Sequence, residues 1–301
     1  MTRRGLFLYA AVGIVWGIPY FFIAIASQSF STPSVVWMRV VIGALFLLPL
    51  AIKRGVLRET LKNWPWVLFF AVVEMVGPWY LITEAERYVS TSLVGLMMTT
   101  IPFISAAIMG IFLGDKAAGH PVTITGLVVG FTGVVSLIGI DAFSGHIEMG
   151  PTLMLVVTAI CYSVAPIVAN RKMPTTSTLG VIAVSMAMVA VIYTPFVLTS
   201  LPADIAAGPS AESWTSILVL GIVCSAVAFV LYFALIKEVG PRRSTLITYL
   251  NLLVAAVLGV LFLAEPITPG IVVGLPLIVI GSYLAGRDRA PYVRKRDRIV
   301  A

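Results

Sequence analysis

Residues 101–135 read IPFISAAIMGIFLGDKAAGHPVTITGLVVGFTGVV: an apolar run broken by Pro102, a short polar turn led by Asp115, and a second apolar run. The second run carries Gly126, Gly130 and Gly133 on one helical stripe. Residues 252–282, LLVAAVLGVLFLAEPITPGIVVGLPLIVIGS, repeat the pattern half a chain later. There Glu265 stands in the place of Asp115, and Gly274 and Gly281 keep the seven-residue spacing of Gly126 and Gly133. Two copies of one building block are the simplest account.

The wider chain supports that account. Its 301 residues are 59% hydrophobic and 11% charged, with a mean hydropathy of +1.04. A soluble domain carries about a quarter charged residues, so lipid is the solvent here. Ten apolar runs of spanning length lie at 5–26, 34–52, 65–83, 91–113, 121–139, 150–169, 178–200, 214–236, 244–263 and 269–286. The first run exceeds the core of a cleaved signal and holds Trp16, Gly17 and Pro19, so it is read as a true span. The expected fold is an all-α polytopic membrane protein of ten spans.

Charge orients the spans. With the N-terminus inside, eighteen of the twenty basic residues fall in cytoplasmic segments, six of them in the tail from Arg287 to Arg298. Only Arg87 lies outside and Arg39 within a span, whereas Glu84, Glu86, Asp141, Glu148, Asp204, Glu212 and Glu265 are all outside. This bias predicts both termini in the cytoplasm of a cell membrane, with a bacterial membrane the expected setting. The same distribution explains the net charge of +7 without a nucleic-acid partner.

The repeat recurs along the length. Pro19 and Pro166 are 147 apart, Pro49 and Pro195 are 146 apart, Asp115 and Glu265 are 150 apart, and Gly126–Gly274 and Gly133–Gly281 are each 148 apart. Each half, 1–144 and 145–301, then holds five spans. An odd number forces the second half to enter the membrane upside down, the inverted-repeat logic of many secondary transporters.

At this point the residues resemble the EamA-type family of the drug/metabolite transporter superfamily. The first half shows Trp16-Gly17, Arg39, Pro102, Leu113-Gly114-Asp115, Gly126 and Gly133. The second shows Pro241-Arg242-Arg243-Ser244, Leu263-Ala264-Glu265-Pro266, Gly274 and Gly281. Asp115 stands where Glu is more usual, and Cys161-Tyr162-Ser163 stands near the place of a second Trp-Gly. The resemblance implies a ten-helix basket around a central cavity, lined by spans one to four and six to nine, with spans five and ten peripheral. It also implies export of amino acids or similar metabolites.

The candidate site follows from misplaced polarity. Glu74 sits nine residues into span three, about 13 Å deep. A carboxylate there needs a cavity, a partner or a proton. Gly77-Pro78 breaks the helix just beyond, because Pro78 cannot donate to the Glu74 carbonyl. Glu74 is therefore read either as a site for a substrate amine or coupling proton, or as a neutral hydrogen-bonded residue of a helix contact. Arg39 is read as structural or gating, with binding of a substrate carboxylate or pairing with Glu74 as the other reading. Trp16, Tyr20, Tyr80, Tyr162, Tyr232, Tyr249 and Asn251 lie in the lining spans and suit a planar or apolar metabolite, uncharged or zwitterionic. Trp37 and Trp79 are read as interfacial-belt residues. Asp115 and Glu265, at opposite surfaces, are read as helix caps, and the glycine stripes as packing seams.

Other classes fare worse. The only histidines, His120 and His146, fall on opposite sides of the membrane, and no metal, nucleophile or phosphate-loop motif appears, so neither enzyme nor cofactor is expected. Cys161 and Cys224 lie in apolar runs and read as packing residues. The reading is a secondary transporter of a small metabolite in a lipid bilayer, with protons as a possible coupling ion, acting as monomer or homodimer. A passive facilitator and a multidrug-type carrier stand as alternatives.

Overall fold

The computed structural model describes residues 2–113, 121–143, 148–239 and 247–286, with backbone alone at 112–113, 123, 137–143, 248–249, 282 and 285–286. Asp115, the two histidines, Pro241 to Ser244 and the basic tail lie outside the described residues, as does the Tyr249 side chain. The described residues are helical along most of their apolar runs.

The elements are α1 (Arg3–Gly17), α2 (Pro19–Ala26), α3 (Thr32–Lys53), α4 (Leu57–Lys62), α5 (Trp64–Phe70), a π-helical segment (Ala71–Val76), α6 (Gly77–Ala85), α7 (Thr91–Met98), α8 (Ile101–Leu113) and α9 (Pro121–Phe143). The second half gives α10 (Met149–Lys172), α11 (Thr178–Ala206), α12 (Ala211–Leu218), a second π-helical segment (Val219–Val227), α13 (Ala228–Val239), α14 (Ile247–Phe262) and α15 (Pro269–Gly286). Seven helical stretches among the described residues are long and apolar enough to cross a membrane: Arg3–Ala26, Thr32–Lys53, Trp64–Ala85, Thr91–Ile111, Met149–Lys172, Thr178–Ala206 and Ala211–Val239. Shorter apolar helices, Ile124–Ser136, Leu250–Phe262 and Pro269–Gly281, fall in α9, α14 and α15.

Their outward faces are apolar, with Phe7, Phe46, Phe131, Val191 and Leu261 all more than half exposed, as lipid contact requires. Start signals are local. Ser90 Oγ accepts from the Leu93 N–H at 3.2 Å and Ser210 Oγ from the Ser213 N–H at 3.1 Å, while Pro19 and Pro65 sit in first turns where a missing donor costs nothing. Pro102 acts the same way: the chain bends at Thr99-Thr100 and Pro102 opens α8 rather than interrupting it. Gly77-Pro78, expected to break span three, does not; the helix widens to a π turn and continues.

Helix neighbours form a pattern that survives exchange of the halves. α1 packs on α13 and α14, while α10, its counterpart, packs on α6 and α8. α3 meets the second π segment and α11 meets the first. α3 with α11, α7 with α14 and α9 with α15 each pair with their own counterpart.

The glycine stripes are the α9–α15 seam. Gly130 lies against Gly281, and Gly133 lies against Leu277 and Ile278. In lipid, where apolar burial drives little, such close approach supplies the dispersion contacts that hold helices together.

Glu265 is indeed a helix cap, but for a distant helix. It accepts from the Thr91 N–H at 2.6 Å, the Ser92 N–H at 3.0 Å and Ser92 Oγ at 2.7 Å, which closes the start of α7. Ala264, at φ 54°, occupies the left-handed region after α14 and turns the chain toward that position.

Candidate substrate site

Glu74 lies within the first π segment. Pro78 offers no N–H, and the Gly77 N–H reaches back five residues to the Val72 carbonyl. The wider turn re-aims the residues that follow. Trp79, expected at the interface, is instead buried at 5% exposure in the bundle. Tyr193 of α11 donates from its hydroxyl to the Val76 carbonyl at 2.6 Å and so ties α11 to the irregular turn. Tyr193→Phe is expected to cost about 1 kcal/mol of stability, read as a lowered melting temperature in detergent.

The second π segment starts 148 residues after the first, at Val219 against Ala71. Inside it, Ser225 Oγ donates to the Leu220 carbonyl at 2.9 Å and accepts from Arg39 Nε at 3.0 Å. Both irregular turns are thus held by a side chain from a neighbouring long helix, α3 in one half and α11 in the other. Single π turns inside α-helices gather at functional sites.

Arg39 centres the polar cluster. Its guanidinium carbon lies 3.9 Å from the Trp79 ring centroid, a cation–π contact. Tyr20, Tyr162 and Cys224 surround it, and the Trp79 indole N–H is directed to the Tyr162 hydroxyl. Glu74 lies near Cys161 and Tyr162. Neither charge is neutralised by a neighbour: among the described residues the ion pair is Arg87–Glu84, at 3.6 Å, and Glu74 Oε2 is shielded from solvent without a hydrogen-bond partner. Arg39, Glu74, Tyr20 and Tyr162 all sit deep in the bundle yet retain accessible surface.

The other predicted site residues separate from this cluster. Trp16 packs at a tilt against Tyr232 (4.6 Å between centroids) and edge-on against Phe229 (5.5 Å), an aromatic layer between α1 and α13. Tyr80 is 37% exposed. Asn251, with its amide oriented by its hydrogen bonds, donates to the Gly13 carbonyl at 2.8 Å and the Ile247 carbonyl at 3.0 Å, bridging α14 to α1. Pro78 is buried beside the cluster, and Cys161 and Cys224 are both free thiols. Ser225 and Tyr193 escape sequence reasoning, since one Ser in GIVCSAVAF and one Tyr in a long apolar run carry no distinctive signal. An apolar groove of about 490 Å³ on the α3–α11 face, lined by Trp37, Thr194 and Leu198 among others, holds no charged group and is separate from the cluster.

Multiple apolar spans, with irregular helical turns and polar side chains buried between them, fit a membrane transporter by class. The chain belongs to the EamA-like transporter family, of the drug/metabolite transporter superfamily, which matches residues 3–139 and again 150–287. It is similar to the uncharacterized transporter YvbV of Bacillus subtilis, 25% identical over 92% of this chain and 90% of that one. It is also similar to the uncharacterized inner membrane transporter YedA of Escherichia coli K12, 24% identical over 91% and 90%. One protein of known crystal structure shares the fold with a TM-score of 0.62 at 20% identity, covering 92% of this chain and 96% of that one.

Proposed function

We propose that the protein is a secondary active transporter that exports neutral or aromatic amino acids, or related zwitterions, by alternating access. The observation that carries this reading is that Arg39 and Glu74, neither of them ion-paired among the described residues, both lie near Tyr162 among buried aromatic rings. A free amino acid presents the complementary pair. Its carboxylate suits the guanidinium edge left by the Ser225 bond, and its ammonium suits Glu74. Trp79, Tyr20 and Tyr162 offer faces for the side chain.

Alternating access belongs to an inverted repeat of two five-helix halves, residues 1–144 and 145–301, around these residues. The family match to each half, the neighbour pattern preserved under exchange, and the paired π segments support it. The charge bias supports cytoplasmic termini, and the similarity to bacterial transporters supports a bacterial inner membrane.

The test is a panel of radiolabelled amino acids in proteoliposomes, with and without a pH gradient, beside decarboxylated amine analogues. Neutral and aromatic amino acids are expected to move and to concentrate with the gradient. Arg39→Gln should raise KM for them about tenfold to a hundredfold, the loss of one charged hydrogen-bond partner, and leave any amine transport unchanged. Movement of no amino acid, or equal movement of the amines by the wild type, overturns the zwitterion reading. Equilibration without concentration would make the protein a facilitator.

A further inference from the structure

Glu86 takes no part in the cluster around Arg39. It follows α6, its N–H bonded to the Ile82 carbonyl at 2.9 Å, and is only 8% exposed. Both of its carboxyl oxygens are shielded from solvent without a hydrogen-bond partner among the described residues. It faces Tyr20 of α2 and Glu265.

The surrounding charges are committed elsewhere. Glu265 receives its three hydrogen bonds at the start of α7, and Gly259 makes the room, because a Cβ there would collide with the Glu265 carboxylate. Arg87 bonds the Phe30 carbonyl at 2.7 Å and Thr32 Oγ1 at 3.1 Å and pairs with Glu84. Asp204 of α11 is held by the Ser31 N–H (3.0 Å) and Oγ (2.7 Å). α7 has no titratable side chain, Glu212 of α12 lies at the surface, and Arg39 of α3, which also faces Tyr20, is engaged by Ser225 and the Trp79 ring. No described cation is left for Glu86.

This end of the bundle is also fastened. Ser31 with Asp204, and Ser213 with the Ile25 carbonyl (3.1 Å) and Ser29 (2.9 Å), join elements from both halves, and Thr32 with Glu84 joins α3 to α6. A buried carboxyl with no partner, beside an anchored carboxylate, is costly to ionise until water reaches it.

We propose that Glu86 is a proton-binding site, a carboxyl that keeps its proton while this end is closed and releases it to solvent when the end opens. Burial, and then the neighbouring Glu265 carboxylate, push the Glu86 carboxyl well above the usual range. Because the folded-state value is raised, the stability contribution is full below the ordinary carboxylate pKa. It is lost as pH rises through the folded value. Use of this proton in coupling rests on the transport reading; the binding of the proton does not.

Infrared titration of the full chain in lipid nanodiscs separates the two. The wild type should show protonated-carboxyl absorption above the pH at which ordinary carboxylates ionise; Glu86→Gln should lose one component of it, and Glu74→Gln should keep that component. Melting temperatures should show Glu86→Gln gaining on the wild type as pH rises. Should Glu86→Gln not fold, Glu86→Asp keeps the carboxyl and must shift the band. An unchanged band in either Glu86 variant overturns the site. In proteoliposomes Glu86→Gln should retain substrate exchange and lose the response to a pH gradient; an unaltered response overturns the coupling role alone.

Discussion

Glu74→Gln is expected to lower transport, as kcat/KM, by about a hundredfold or more, the equivalent of about 3 kcal/mol of charge recognition. The substitution keeps the shape and removes only the ability to carry charge. Glu74 Oε2 is buried with no partner among the described residues, so the folded protein gains nothing from its ionisation. The fold should therefore survive, with melting temperature and elution volume close to those of the wild type. Glu74→Asp should retain partial activity, because it keeps the charge and draws it back by one methylene. Uptake by Glu74→Gln at the wild-type rate in proteoliposomes would remove the residue from the mechanism. A loss of activity with a loss of folding would make it structural.

The fold class was readable because lipid imposes simple rules. Long uncharged runs, cationic loops on one side and glycines at helical spacing each follow from the cost of polarity in hydrocarbon. Glu74 was readable for the same reason: a carboxylate that deep needs a purpose. Geometry past an irregular turn was not. A straight helix through Gly77-Pro78 leaves Trp79 at the interface, whereas the π turn inserts a residue's worth of rotation, about 100°, and brings it under Arg39. Asn251 looked like a cavity amide, and its bonds to Gly13 and Ile247 make it a brace, because a polar side chain on a helix face finds the nearest carbonyl. Glu86 read as one more acid beside a loop, since sequence position at a membrane edge says nothing about whether neighbouring elements close over it.

The seam between α9 and α15 gives the complementary result. A Cβ added at Gly281 would run into the backbone N and Cα of Gly130 and come within 2.8 Å of the Gly126 carbonyl. Backbone cannot rotate aside as a side chain can, so the two helices must separate along their contact. Gly281→Ala is expected to cost about 2 kcal/mol, in the range of overpacked cores, and Gly281→Leu more than about 3 kcal/mol. A Cβ at Gly130, by contrast, meets only Phe103 and the Gly281 Cα, at 3.5 and 3.6 Å, so Gly130→Ala should be nearly neutral, as should Gly150→Ala, which meets nothing within 4 Å. The sequence stripe treats these glycines alike; the packing does not. Thermal melts of the three alanine variants in one detergent check the ranking, and equal melting temperatures would refute the seam. Because α9 and α15 carry none of the residues around Arg39 and Glu74, the Gly281→Ala molecules that remain folded should transport at the wild-type rate. Stability lost with activity per folded molecule kept is the inverse of the Glu74→Gln outcome, and the pair together separates what holds the bundle from what binds its cargo.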